Sequence, residues 1–192
     1  MANTRRAACR ALGALALCSS IGALALATSG AYAQDKQITL GFAQVGAESA
    51  WRTANTESVK SAAADAKIKL KFSDAQQKQE NQIKAVRGFI AQGVDAILLA
   101  PVVATGWDEV LKEAQEAEIP VVLLDRQVDS PDTMYLTAVG SDLVHEGKVA
   151  GEWLATDVGD QPCNVVELQG TTGSSPAIKR KQGFEEGIAG HD

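Results

Sequence analysis

The chain has 192 residues, 45% hydrophobic and 22% charged, with a formal net charge of −6. An acidic balance argues against nucleic acid and anionic membranes as partners, and the composition is that of an ordinary soluble globular protein without low-complexity segments. Two histidines, His145 and His191, and three cysteines leave too little for a histidine-based triad or a zinc cluster.

Residues 1–33 read as an export signal. Arg5, Arg6 and Arg10 make a positive start, residues 11–27 are almost uninterruptedly apolar, and Ala31-Tyr32-Ala33 offers a small-x-small cleavage site. The apolar run is shorter than the roughly 20 residues a membrane span needs, so an anchor is the weaker reading. Arg5-Arg6 lacks the pattern that follows a twin-arginine pair, and Leu17 is bulky where lipidation at Cys18 needs a small residue. Cleavage before Gln34 leaves 15 basic against 24 acidic residues, a net charge of −9. Of the cysteines only Cys163 then remains, either buried as a small apolar residue or paired with a cysteine outside this chain.

From Gln34 onward strand and helix patterns alternate. Ile38, Leu40, Phe42 and Val45 lie in an apolar run of strand length, as a central strand of a parallel sheet requires. Alanines and Val59 at helical spacing follow over 51–66, and Ile68, Leu70 and Phe72 alternate as a half-buried strand. Asp74 is positioned to cap a helix with a stripe of Ile83, Val86 and Ile90, ended near Gly93. A buried strand spans Asp95 to Pro101. Thr105 opens a helix through Trp107, Val110, Leu111 and Ala114, and Pro120 begins the strand Val121 to Leu124, which stops at Asp125. A βαβαβαβ series of this kind closes as a doubly wound parallel sheet.

After a polar turn over Val128 to Asp132, Met134 to Gly140 reads as one more strand, and Gly140-Ser141-Asp142 as a hinge or boundary. A helix with Val149, Ala150, Trp153 and Leu154 on its apolar side follows, then a strand from Asn164 to Leu168. Ser175-Pro176 opens a last helix carrying Ala177, Ile178, Phe184 and Ile188. Two organisations fit: one six-stranded sheet, or the beginning of a second domain at 141. In the second case the strand at 164–168 has no later strand to pair with, and the chain is expected to be truncated.

Glycines Gly41 and Gly46 do not match the G-x-G-x-x-G turn, and no G-x-x-x-x-G-K-S/T occurs, so nucleotide binding has no marker. Gly170-Thr-Thr-Gly-Ser-Ser before a helix is a nonspecific anion cradle at best. The strand ends offer chemistry for a neutral polyol. Trp51 supplies a flat apolar surface for a sugar ring, and Glu48, Arg52, Asp125 and Arg126 supply planar acceptors and donors for neighbouring hydroxyls. The competing reading packs Trp51 in the core and makes the charges structural ion pairs.

Five blocks carry a family resemblance. They are Thr-Leu-Gly-Phe-Ala-Gln-Val-Gly-Ala-Glu-Ser-Ala-Trp-Arg at 39–52, Gln-Gln-Lys-Gln-Glu-Asn-Gln-Ile-Lys-Ala-Val-Arg at 76–87, Gln-Gly-Val-Asp-Ala-Ile-Leu-Leu-Ala-Pro-Val-Val-Ala-Thr-Gly-Trp at 92–107, Pro-Val-Val-Leu-Leu-Asp-Arg at 120–126 and Asn-Val-Val-Glu-Leu-Gln-Gly at 164–170. Together with the export signal they resemble the periplasmic sugar-binding proteins of ABC importers, the ribose- and galactose-binding group.

That resemblance implies a type I periplasmic binding fold, α/β with a doubly wound parallel sheet, and a sugar between two lobes. It divides the chain into a signal peptide at 1–33, an N-terminal sugar-binding lobe at 34–140, nearly whole, and the beginning of a second lobe at 141–192. It implies sugar contacts at Glu48, Ser49, Ala50, Trp51, Arg52, Asp125 and Arg126, with Arg180 reaching in from the second lobe; Ala50 stands where glycine is expected in a close relative. The implied protein is a monomeric, non-enzymatic binder in the periplasm with no cofactor and no metal. It captures a galactofuranose-like or related monosaccharide and delivers it to the membrane permease of an ABC transporter. A periplasmic sensor feeding a chemoreceptor or kinase, or an inactive fragment, is the alternative.

The export reading predicts that protein recovered from a periplasmic extract begins at Gln34. Its intact mass, measured without reduction, checks the cleavage and the state of Cys163 together.

Overall fold

The computed structural model describes residues 36–191; the export signal, its cleavage site, Cys9 and Cys18 lie outside the described residues. The first strand, β1 (Thr39–Gln44), runs into α1 (Ala50–Asp65) and returns as β2 (Lys69–Asp74). Next come α2 (Gln79–Ala91), β3 (Ala96–Leu99), α3 (Asp108–Glu116) and β4 (Val121–Leu124). A 3₁₀ turn over Asp132–Met134 leads to β5 (Thr137–Val139), and two helices, α4 (Leu143–Val158) and α5 (Ser175–Gly187), complete the described chain.

The five strands form one sheet in the order β2-β1-β3-β4-β5, with every pairing parallel. β1 is interior, hydrogen-bonded to β2 with Leu40 opposite Leu70 and to β3 with Phe42 opposite Leu98. The expected doubly wound parallel sheet is therefore present, with five strands among the described residues rather than six. All five strands point the same way, so their carboxyl ends share one edge, and that edge carries both Glu48–Arg52 and Asp125–Arg126.

The main apolar core lies between the sheet and helices α2 and α3, where Val86, Phe89, Ile97, Leu99, Trp107, Leu111 and Leu123 pack together. At ~25 cal/mol per Å² of apolar surface, burial of such side chains is the main favourable contribution to folding. The buried face of α2 is Gln82, Val86 and Phe89, with Ile83 and Ile90 partly buried at its flanks. The expected stripe of Ile83, Val86 and Ile90 is thus rotated toward Gln82, whose amide can be buried because main-chain groups satisfy both of its ends.

Three caps differ from expectation. Asp74 stays in the β2 ladder opposite Gln44, and its carboxylate accepts from the Gln76 amide at 2.7 Å. Lys78 takes the α2 cap position, after Gln76 and Gln77 have turned through left-handed backbone. Thr105 does not open α3, because Gly106 at φ +82 interrupts helical backbone; the helix starts at Asp108. Ser174 rather than Ser175 caps α5, accepting from the Ala177 amide. Ser175 is then free to accept from the Gln127 amide at 2.8 Å.

The larger departures lie after Gly140. Asn164 to Leu168 forms no strand, and Val166 and Leu168 are 86% and 96% exposed. Among the described residues no neighbouring strand offers a ladder for its amides and carbonyls, and a lone strand is not stable. α4 also buries a different side from the one expected. Leu143, Gly147, Gly151 and Ala155 face inward, while Val149 and Trp153 are exposed. The reason is the close approach of α5: a Cβ on Gly147 would sit 2.0 Å from the Arg180 carbonyl oxygen, and one on Gly183 would sit 1.9 Å from that of Val144. Small residues let two helix backbones touch, and that contact outweighs the burial of larger side chains elsewhere on the helix.

Gly147→Ala is therefore expected to force α4 and α5 apart and to destabilise the fold by about 1–3 kcal/mol, the usual cost of overpacking. Gly88→Ala, on an open face of α2 where the nearest atom to a new Cβ is 3.8 Å away, should be neutral or stabilising by up to ~1 kcal/mol. Thermal unfolding of the two variants side by side checks the contrast.

Candidate functional site

The site begins with how β1 hands over to α1. The Gln44 side chain is buried; its Oε1 accepts from the Val45 amide at 2.9 Å, and its Nε2 donates to Asn55 Oδ1 at 2.9 Å and Thr56 Oγ1 at 3.0 Å. The second turn of α1 is thereby tied to the strand end. Ser49 caps the helix, its hydroxyl accepting from the Arg52 amide at 3.1 Å, which satisfies one of the first-turn donors. With the helix start fixed, Arg52 turns inward.

Arg52 is only 3% exposed. Its Nε donates to Glu48 Oε1 at 3.2 Å and its Nη2 to Asp125 Oδ2 at 2.8 Å. Asp125 reaches it from the end of β4 with left-handed backbone, φ +66, while its amide donates to the Val139 carbonyl at 2.7 Å. Arg126, 8% exposed, donates from Nη1 to the Val102 carbonyl at 2.9 Å, and its Nη2 lies 3.8 Å from Glu48 Oε1. Burial above all, then the positive charge of Arg52, pulls the Arg126 pKa down, against Glu48 and Asp125. Two guanidinium nitrogens, Arg52 Nη1 and Arg126 Nε, are buried without a hydrogen-bond partner among the described residues.

A cavity of about 320 Å³ opens over these groups. Of the residues singled out in the sequence, Glu48, Ser49, Trp51, Arg52, Asp125, Arg126 and Arg180 line it. Ala50, the first residue of α1, is exposed and lies outside the lining. Trp51 is 57% exposed rather than packed in the core, with the Arg52 guanidinium carbon 4.9 Å from its ring centroid. Arg180 arrives from α5 with its Nε donating to Glu146 Oε2 at 2.7 Å.

Ser141, Glu146 and Pro176 also line the cavity and were not singled out as ligand contacts in the sequence. Ser141 and Pro176 carried a signal, a boundary and a helix start, but neither feature pointed to ligand. Glu146 carried none, because the side of α4 that faces α5 is set by glycines. The Ser141 hydroxyl first, and then Arg180, hold the Glu146 carboxyl below the ordinary carboxylate range. Three guanidinium groups thus meet three carboxylates, Glu48, Asp125 and Glu146. A lining so balanced in charge, with planar donors and acceptors and one exposed indole face, suits hydroxyl groups rather than a charged ligand. It holds no histidine and no cysteine.

Comparison with known proteins gives a consistent account. Residues 40–192 match the family described as periplasmic binding protein domain. The chain is 62% identical over 152 residues to the galactofuranose-binding protein YtfQ of Escherichia coli (strain K12), an alignment covering 79% of this chain and 48% of that protein. A crystal structure of a galactofuranose binding protein superposes with a TM-score of 0.76 at 62% identity, covering 79% of this chain and 51% of that one. The periplasmic component of the arabinose ABC transporter from Shewanella sp. ANA-3, bound to α- and β-L-arabinofuranose, superposes with a TM-score of 0.74 at 56% identity, covering 79% and 50%. The chain spans about half the length of these relatives.

A folded-state pKa lowered at Glu146 stabilises the fold fully above the unfolded value of about 4.3, and that contribution is lost as pH falls through the lowered value. The carboxyl ¹³C titration of Glu146 is therefore expected to have its midpoint below ~4.3. Ser141→Ala should move that midpoint up toward the ordinary value.

Proposed function

Because the chain belongs to the periplasmic binding protein domain family and has its type I fold, we propose that it binds a monosaccharide, galactofuranose or a related furanose, in the periplasm and delivers it to the membrane permease of an ABC importer. Residues 34–140 form the first lobe in this reading and residues 141–192 belong to the second. The observation that carries the reading is the cavity over Arg52 and Arg126, where two buried guanidinium groups are locked by carboxylates and a main-chain carbonyl beside an exposed indole. Such groups are preorganised and lose little freedom when a ligand arrives.

The roles follow from the donor and acceptor inventory. Arg52 and Arg126 donate to ring and hydroxyl oxygens, Glu48 and Asp125 accept from hydroxyls with oxygens not engaged by the arginines, and Trp51 covers the C–H face of the sugar. Arg180, paired with Glu146, adds contacts from the 141–192 segment. Function is capture without bond making. A ligand drives lobe closure only in so far as it binds the closed arrangement better than the open one, so contacts from both segments are required.

Calorimetric titration with a panel of pentose and hexose sugars tests the reading. Arg126→Ala and Trp51→Ala are each expected to weaken binding at least about tenfold, the size of one lost charged hydrogen bond or of a comparable apolar contact, with unchanged far-UV circular dichroism. Normal affinity in both variants would place the ligand elsewhere.

A further inference from the structure

Helix α2 contributes nothing to the cavity lining, yet it carries a fully buried polar side chain beneath it. Gln82 lies in the stripe with Val86 and Phe89, and its amide uses both ends. Nε2 donates to the Ala43 carbonyl at 3.0 Å and the Ala100 carbonyl at 2.6 Å, and Oε1 accepts from the Val102 amide at 2.9 Å. A buried primary amide without partners is costly, so its geometry is dictated by the three groups it serves.

Those three groups sit at the edge from which the site is built. Ala43 is in β1, five residues before Glu48, and Ala100 follows β3 directly. Val102 is held at its amide by Gln82 and presents its carbonyl to Arg126 Nη1 at 2.9 Å. That carbonyl is the nearest fixed acceptor of Arg126, whose Nε has no partner and whose Nη2 is 3.8 Å from Glu48. The orientation of Arg126 therefore depends on where Val102 stands, and Val102 is held by Gln82.

We propose that Gln82 is the positioning residue of the pocket: its buried amide joins the carboxyl ends of β1 and β3 and sets the Val102 carbonyl that aims Arg126. The consequence for affinity rests on the sugar-binding reading above, whereas the consequence for Arg126 does not.

Gln82→Met removes all three hydrogen bonds at similar volume. Val86→Ala, one turn on and equally buried, serves as a destabilised control away from the pocket. In the ligand-free protein the Arg126 Nε–Hε resonance should shift, and its proton exchange with water should quicken by at least tenfold, in Gln82→Met but not in Val86→Ala; Arg52 should change in neither. Sugar affinity should fall at least tenfold in Gln82→Met and less than twofold in Val86→Ala. An unchanged Arg126 resonance in Gln82→Met, or the same change in both variants, overturns the proposal. A shifted Arg126 in a protein that binds no sugar of the panel upholds the positioning role and rejects the sugar reading instead. Should Gln82→Met not fold, the wild-type protein decides: the Gln82 side-chain amide protons must exchange as slowly as core amides, and exchange as fast as that of the exposed Gln76 overturns the proposal.

Discussion

The burial of the Arg52 guanidinium is the constraint on which the rest of the site depends. A charge taken out of water is tolerable only when it is paired and hydrogen-bonded. Here the partners come from two places in the chain, Asp125 at the end of β4, 73 residues from Arg52, and Glu48 one helical turn away. The cap at Ser49, the Gln44 anchor on α1 and the left-handed backbone at Asp125 each serve to bring those groups within reach. The parallel sheet supplies the frame, because strands that all point one way deliver their following loops to the same edge.

The opposite wall is made by different means. α4 and α5 lie so close that Gly147 and Gly183 have no room for a Cβ. This contact puts Glu146 of one helix against Arg180 of the other, and both against the cavity. The loop before α5 is held to the sheet portion, with the Ala104 amide donating to the Gly173 carbonyl at 2.8 Å and the Gln127 amide donating to Ser175. Positively charged side chains thus face the cavity from both segments, and in each case a carboxylate accompanies them.

This pairing has a consequence for selectivity. An arginine already bound to a carboxylate has little field left for an anionic ligand, but its remaining N–H groups keep their direction. Hydroxyl groups, which both donate and accept, can use the arginines and the carboxylates together. The exposed indole of Trp51 adds an apolar surface that the C–H face of a ring can cover and a small acid cannot.

Much of this was legible along the chain. The alternation of strands and helices, the interior position of β1, and the placing of Glu48 to Arg52 and Asp125 to Arg126 at the carboxyl edge of the sheet all follow from apolar periodicity and from residue types at strand ends. Those signals are local, because each strand or loop announces itself within a few residues. The strand order, the rotation of α2 onto Gln82, the inward face of α4 and the arrival of Glu146 were decided only in three dimensions. Gln82 and Gly147 look unfavourable in a buried helix stripe when judged one helix at a time. They are favourable because the Gln82 amide hydrogen-bonds main-chain groups at two strand ends, and Gly147 meets the backbone of another helix.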